Sequence, residues 1–193
     1  MKILFLGYTD SPLIDYLRAD NNDVAVHDEK LSRGDIAAIT PEVIVSYGYR
    51  HIIKKDVLDD YPNRVINLHI AFLPWNRGAD PNLWSILEDT PSGVTIHYID
   101  EGVDTGDIIA QRAVAFSDTD TLASSYQKLH IEIQKLFKEV WPEIRDGKNE
   151  RTKQVGNGSM HRARDKEHIA ALLSNGWDTQ IALLRGKKKL ATS

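Results

Sequence analysis

Residues 2–7, KILFLG, followed by residues 11–20, SPLIDYLRAD, decide the architecture of this chain. The first stretch is an unbroken apolar run closed by Gly7. The second places Leu13, Ile14 and Leu17 at helical spacing. This reads as strand, turn, helix. An apolar run without alternation is what a parallel strand needs when both faces are covered. Working outward, DVAVH (23–27) predicts a second strand, the stretch around 36–39 a helix, PEVIVSY (41–47) a third strand and VINLH (65–69) a fourth. Strands alternating with helical patterns predict an α/β fold, Rossmann-like, with a doubly wound, mostly parallel sheet.

Further along, GVTIHYI (93–99) alternates like a strand beside a cleft. Residues 122–139 carry a long helical period behind N-cap candidates at Thr119 to Thr121, and Pro142 and Gly147 mark its expected end. The more polar remainder suggests a boundary near Asp146, with a main domain over 1–146 and a small C-terminal extension over 147–193. No internal repeat interrupts this plan.

Composition narrows the function classes. Hydrophobic residues at 41% and charged residues at 27% over 193 positions describe one ordinary globular core with room for an appendage. A net charge of -4 argues against a nucleic-acid partner, which asks for a basic face; the Lys187 to Lys189 run reads as a solvated tail. With no cysteine, disulfides, thiolate metal sites and cysteine nucleophiles are excluded. The opening apolar run meets Thr9, Asp10 and Pro12 at once, unlike a signal peptide or membrane anchor, so a cytoplasmic location is the expectation. The Gly7 turn has no second and third glycine for a pyrophosphate, which argues against NAD or FAD.

Three segments carry chemistry. In NLH (67–69), the period of two points Asn67 and His69 to one face of a strand, with Leu68 turned into the sheet. In IAFLPWNRGADPNLW (70–84), Pro74, Gly78 and Pro81 break regular structure and leave Trp75, Asn76 and Arg77 on a loop near that strand's end. In YIDEGVDTGDII (98–109), three aspartates and two glycines crowd one turn, which is expected to pack Asp100, Asp104 and Asp107 together. Acyl transfer to an amine needs a donor to the oxyanion, a group that holds a proton near neutral pH, and a carboxylate that orients it. Asn, His and Asp supply these jointly. His51, His97, His130 and His168 show no spacing that suggests a metal site, and none is expected.

NLHIAFLPWNRG together with IDEGVDTGDII resembles the N10-formyltetrahydrofolate-dependent formyltransferases, over the first two thirds of the chain. The resemblance implies Asn67, His69 and Asp104 as catalytic residues and formyl folate as co-substrate. It implies a folate cleft built from the loop SYGYRHII (46–53), with Tyr49, His51 and Ile53, and from the turn carrying Tyr98, Asp100 and Val103. Within the family, TDSPLIDYL lacks the glycine-rich phosphate turn of glycinamide ribonucleotide transformylases, and the acidic composition makes the methionyl-tRNA branch, with its basic C-terminal domain, not the expected one. FLPWNRGADPN is similar to the sugar N-formyltransferases, which implies a nucleotide-linked amino sugar, dTDP-linked by expectation, held by Trp75, Asn76, Arg77 and Gly78. Arg77 is the candidate diphosphate partner. GNGSMHRARDKEH (156–168) resembles part of their C-terminal region and places His161 and Arg162 near the nucleotide or at an interface of a homodimer. The rivals are a non-catalytic folate or nucleotide binding module and a hydrolase of formyl folate.

Overall fold

In a computed structural model of the protein, which describes residues 1–173 and 175–187, the core is a six-stranded sheet with helices on both faces. Most of the Lys187 to Lys189 run lies outside the described residues. The strands are β1 (Lys2–Gly7), β2 (Asp23–His27), β3 (Val43–Tyr47), β4 (Val65–His69), β6 (Gly93–Tyr98) and β7 (Ile108–Ala113), in the order β2-β1-β3-β4-β6-β7. The first four pair in parallel and the last two antiparallel. A second, two-stranded sheet joins β5 (Arg77–Gly78) to β8 (Met160–His161).

The apolar run of β1 is split between two cores by its pleat. Ile3 and Phe5 pack with α1 (Pro12–Ala19) and α5 (Leu122–Arg145), against Leu13, Leu17, Leu129, Ile133 and Phe137. Leu4 and Leu6 pack on the opposite face with Leu31, Ile36 of α2 (Arg33–Ile39) and Val57 of α3 (Lys55–Asp60). Ser11 caps α1 by accepting from the Leu13 amide, and Thr121 and Ser124 close a reciprocal cap on α5.

Pro142 does not end α5, as its type led us to expect, but sits inside the last turn. A proline there removes the donor to the carbonyl four residues back. That carbonyl, of Lys138, instead accepts from the Tyr16 hydroxyl at 3.2 Å. Buried Trp141 and Ile144 on either side hold the turn against the core.

Beyond α5 the chain folds back onto the body. Thr152 bridges Ile108, β8 pairs with β5, and Ile169, Ile181 and Leu184 pack on Leu83, Trp84 and Leu87 of α4 (Pro81–Leu87). This return path matters because it runs beside the loops at the end of β4.

Candidate active site

Asn67 and His69 do share one face of β4, and the 99–107 turn brings Asp104 to them. Asn67 Nδ2 donates to Asp104 Oδ1 at 3.2 Å, and His69 Nε2 lies 3.6 Å from Asp104 Oδ2. The Gly78 amide donates to Asp104 Oδ2 at 2.8 Å. His69 Nε2 also donates to the Asn76 carbonyl at 3.3 Å, so in this arrangement the proton sits on Nε2.

A fourth residue joins the trio. The antiparallel register sets Asn67 opposite His97 of β6. His97 Nδ1 donates to the Tyr98 carbonyl at 2.8 Å, leaving Nε2 3.3 Å from Asn67 Nδ2 and 3.4 Å from Asp104 Oδ1. Its signal in the sequence is the alternation of GVTIHYI, which shows a strand but not which residue faces Asn67.

The electrostatics follow from burial. Desolvation lowers the His69 pKa, against the pull of Asp104, so the imidazole keeps its neutral form to lower pH than an ordinary histidine. Burial alone would raise the Asp104 pKa; the His69 and His97 rings and the Gly78 amide outweigh it and keep the carboxyl ionised far below the usual range. A neutral imidazole, a carboxylate and an amide N–H thus meet in one place. Asp104 is held at φ 51°, a left-handed conformation that aspartate tolerates better than most residues. The turn behind it needs Gly106, where a Cβ would meet the Tyr98 carbonyl oxygen at 1.8 Å.

The remaining expected site residues divide. Val103, half exposed, lies against Gly78, and Trp75 stands partly exposed on the 70–80 loop. Tyr49 accepts from the Leu31 amide and donates to the Glu29 carbonyl, anchoring the loop after β2, with the His51 ring edge-on to it. Ile53 is buried in the α2–α3 core while Ile52 beside it is 84% exposed. The Tyr98 hydroxyl is bonded to Asn149 and its ring lies under Arg151, so only its backbone serves the trio.

Three expectations on orientation change. Asn76 is fully buried and bonds Thr90 and Ser159, offering His69 its carbonyl but no side chain. Arg77 spends its Nε and Nη2 on Gln154 Oε1, at 3.1 and 2.8 Å. The carboxylates of the 98–107 turn are not packed together: Asp100 accepts from Gly102 and Thr105, Asp104 faces the trio, and Asp107 pairs with Arg151. Each goes to its own donor because like charges repel. His161, too, is a packing residue, stacked on Trp84 at 4.1 Å with Nε2 3.2 Å from Glu88. Gln154, unforeseen, donates to the Asp104 and Gly106 carbonyls and so ties the returning chain to the turn.

The chain belongs to the formyl transferase family, whose profile matches residues 11–141, the stretch that carries Asn67, His69 and Asp104. Among solved structures it is similar to the formyltransferase PseJ from Anoxybacillus kamchatkensis, at 49% identity and TM-score 0.94 over 97% of this chain and 99% of that one. PseJ was solved with UDP-4,6-dideoxy-4-formamido-L-AltNAc and tetrahydrofolate. A 4-N formyltransferase from Francisella tularensis shares the fold, at 22% identity and TM-score 0.76 over 87% of this chain and 78% of that one. Among curated proteins, the methionyl-tRNA formyltransferase of Agathobacter rectalis is 37% identical over 121 residues, which are 62% of this chain and 39% of that protein. The chain thus matches well under half the length of that curated relative.

Proposed function

We propose that the protein transfers the formyl group of N10-formyltetrahydrofolate to the amine of a UDP-linked 4-amino-deoxy sugar. The observation that carries this is the meeting of Asn67, His69 and Asp104 in a chain that matches, end to end, a formyltransferase bound to a UDP-linked formamido sugar. That match moves the expected nucleotide from dTDP to UDP.

In the reaction the amine nitrogen bonds to the formyl carbon, the carbon–N10 bond breaks, and the proton lost by the amine ends on N10. An Asn67 N–H turned toward the carbonyl donates to the developing oxyanion. Asp104 accepts from the amine and orients it. His69, neutral, is free to take the proton and pass it on. The folate lies between the 46–53 loop and the 98–104 turn; Lys55, at the start of α3 just beyond that loop, pairs with Glu101 of the turn at 2.9 Å. Exposed Ile52 and Val103, one on each, offer apolar edges to its ring system. Trp75 and Gly78 remain the acceptor-side residues of the 70–80 loop.

A second reading follows from the curated relatives, which are named for methionyl-tRNA. The net charge of -4 weighs against it, since a tRNA partner calls for a basic face. Both partners of the proposed reaction are water-soluble small molecules, which supports a cytoplasmic setting; a homodimer is expected and sedimentation checks it. Incubating the protein with formyl folate and, separately, UDP-4-amino-4,6-dideoxy sugars, dTDP-linked amino sugars and methionyl-tRNA decides among acceptors. Formamide on the UDP sugar supports the proposal; modification of methionyl-tRNA alone overturns it.

A further inference from the structure

An open α/β sheet offers its reaction site at the carboxyl ends of its parallel strands, which is where His69 closes β4. At the opposite ends, where β1, β3 and β4 begin, lies a separate cavity of about 450 Å³, floored by Val43, Ile66 and Ile144. Its volume falls in the roughly 300–1,000 Å³ range of pockets that hold a whole small ligand. Three arginines, Arg64, Arg145 and Arg151, line it, concentrating positive charge against the net charge of -4 of the whole chain.

The three differ in what already holds them. Arg145 pairs with Asp20 and with Asp146, each at 3.0 Å, and Arg151 pairs with Asp107 at 3.1 Å. Arg64 lies over the Tyr61 ring and donates to the Asp60 carbonyl, and has no carboxylate partner among the described residues. Glu42, the acid that lines the cavity among the described residues, is turned to the backbone and accepts from the Lys2 amide at 2.7 Å. A guanidinium with N–H groups to spare, in a hollow with two others, matches a phosphate group, which takes such donors two at a time.

Arg151 ties this hollow to the reaction site. Its guanidinium covers the Tyr98 ring at 4.3 Å, and its partner Asp107 accepts from the Tyr98 amide where the 98–107 turn closes. That turn carries Asp104, and the Tyr98 carbonyl holds His97 Nδ1. An anion shared by Arg64 and Arg151 competes with Asp107 for the guanidinium.

We infer that this cavity is a second ligand site, for a phosphorylated small molecule, and that its occupation draws Arg151 from Asp107 and slows formyl transfer by loosening the turn that carries Asp104. The binding is independent of which amine accepts the formyl group; the slowing rests on the proposed reaction.

Calorimetric titration of inorganic pyrophosphate into the full-length protein, with UDP in excess at the acceptor site, tests the binding. Arg64→Ala should raise the Kd about tenfold or more, as loss of a charge-assisted contact implies, and Arg64→Lys should restore only part of it. An unchanged melting temperature shows that both variants are folded. Pyrophosphate should speed hydrogen exchange at the 99–107 amides of the wild type and, with formyl folate and UDP sugar saturating, lower kcat severalfold; Arg64→Ala should show neither response. No binding by the wild type, or an equal Kd in wild type and Arg64→Ala, overturns the site. Binding that depends on Arg64 while exchange at 99–107 stays unmoved overturns the link to the turn. No turnover of any UDP sugar, with the binding and exchange results as expected, overturns the acceptor reading and leaves the second site standing.

Discussion

The two walls of the candidate site are built differently. Asn67, His69 and His97 ride on β4 and β6, central strands whose neighbours are buried on both faces. Asp104 rides on a turn and Gly78 on the two-residue strand β5, held by the Gly78 and Asn67 donors to the carboxylate and by a glutamine from the returning chain. The strand wall gets its geometry from a sheet that would exist without any chemistry. The turn wall exists only because Gly106, Gln154 and the β5–β8 pair hold it, so it is where small changes far from the reacting atoms should be felt.

Removing the charge from the turn wall is the severest test. Asp104→Asn keeps a residue that accepts the left-handed backbone but loses the carboxylate, and kcat should fall by about 10²–10⁴, as should His69→Asn in the strand wall. Stopped-flow release of tetrahydrofolate measures both. A loss below about tenfold in either would remove that wall from the chemistry.

The next test separates the walls by pH. Burial lowers the His69 pKa, so kcat/KM should stay flat through the ordinary histidine range near 6.5 and decline only at more acid pH. Stability follows the same sign: the unfolded chain takes up the proton first, so the His69 contribution is present above the unfolded value and is lost as pH falls toward the lower folded one. Urea melts at several pH values check this. Activity that halves near pH 6.5 would mean that His69 is not buried as described.

Milder still is Gln154→Ala, which cuts the donors to the Asp104 and Gly106 carbonyls and frees Arg77. Expected are a kcat loss of about tenfold and a stability loss of about 1 kcal/mol, since two half-buried carbonyls lose their donor. An unaltered kcat would show that the turn holds itself. The smallest effect belongs to Tyr16→Phe, which leaves the Lys138 carbonyl to solvent and should cost about 1 kcal/mol with kcat untouched.

The same contrast explains what could be read without a structure. The strand wall was legible because KILFLG, VIVSY and VINLH fix their own periodicity, and Asn67 and His69 inherit a common face from it. His97 was not, because its place opposite Asn67 depends on register between strands far apart in sequence. On the turn wall, DEGVDTGD announced a tight turn rich in carboxylates but not which of three would face the trio. Which one does is decided by Gly78 and Arg151, brought in from elsewhere. Nor did any local pattern show that Pro142 could stay helical, since its compensation comes from Tyr16 on another helix. The returning chain, read as a polar appendage, has sparse apolar positions whose meaning comes only from α4 beneath them.

We propose that the two walls together move a formyl group onto a sugar amine. Formyl folate carrying an isotope label in its formyl carbon, mixed with the protein and a UDP-linked 4-amino sugar, tests this by where the label goes. The label is expected in a formamide on the sugar, formed one for one with tetrahydrofolate and abolished in Asp104→Asn. Label recovered only as free formate, with the sugar unmodified, would contradict it.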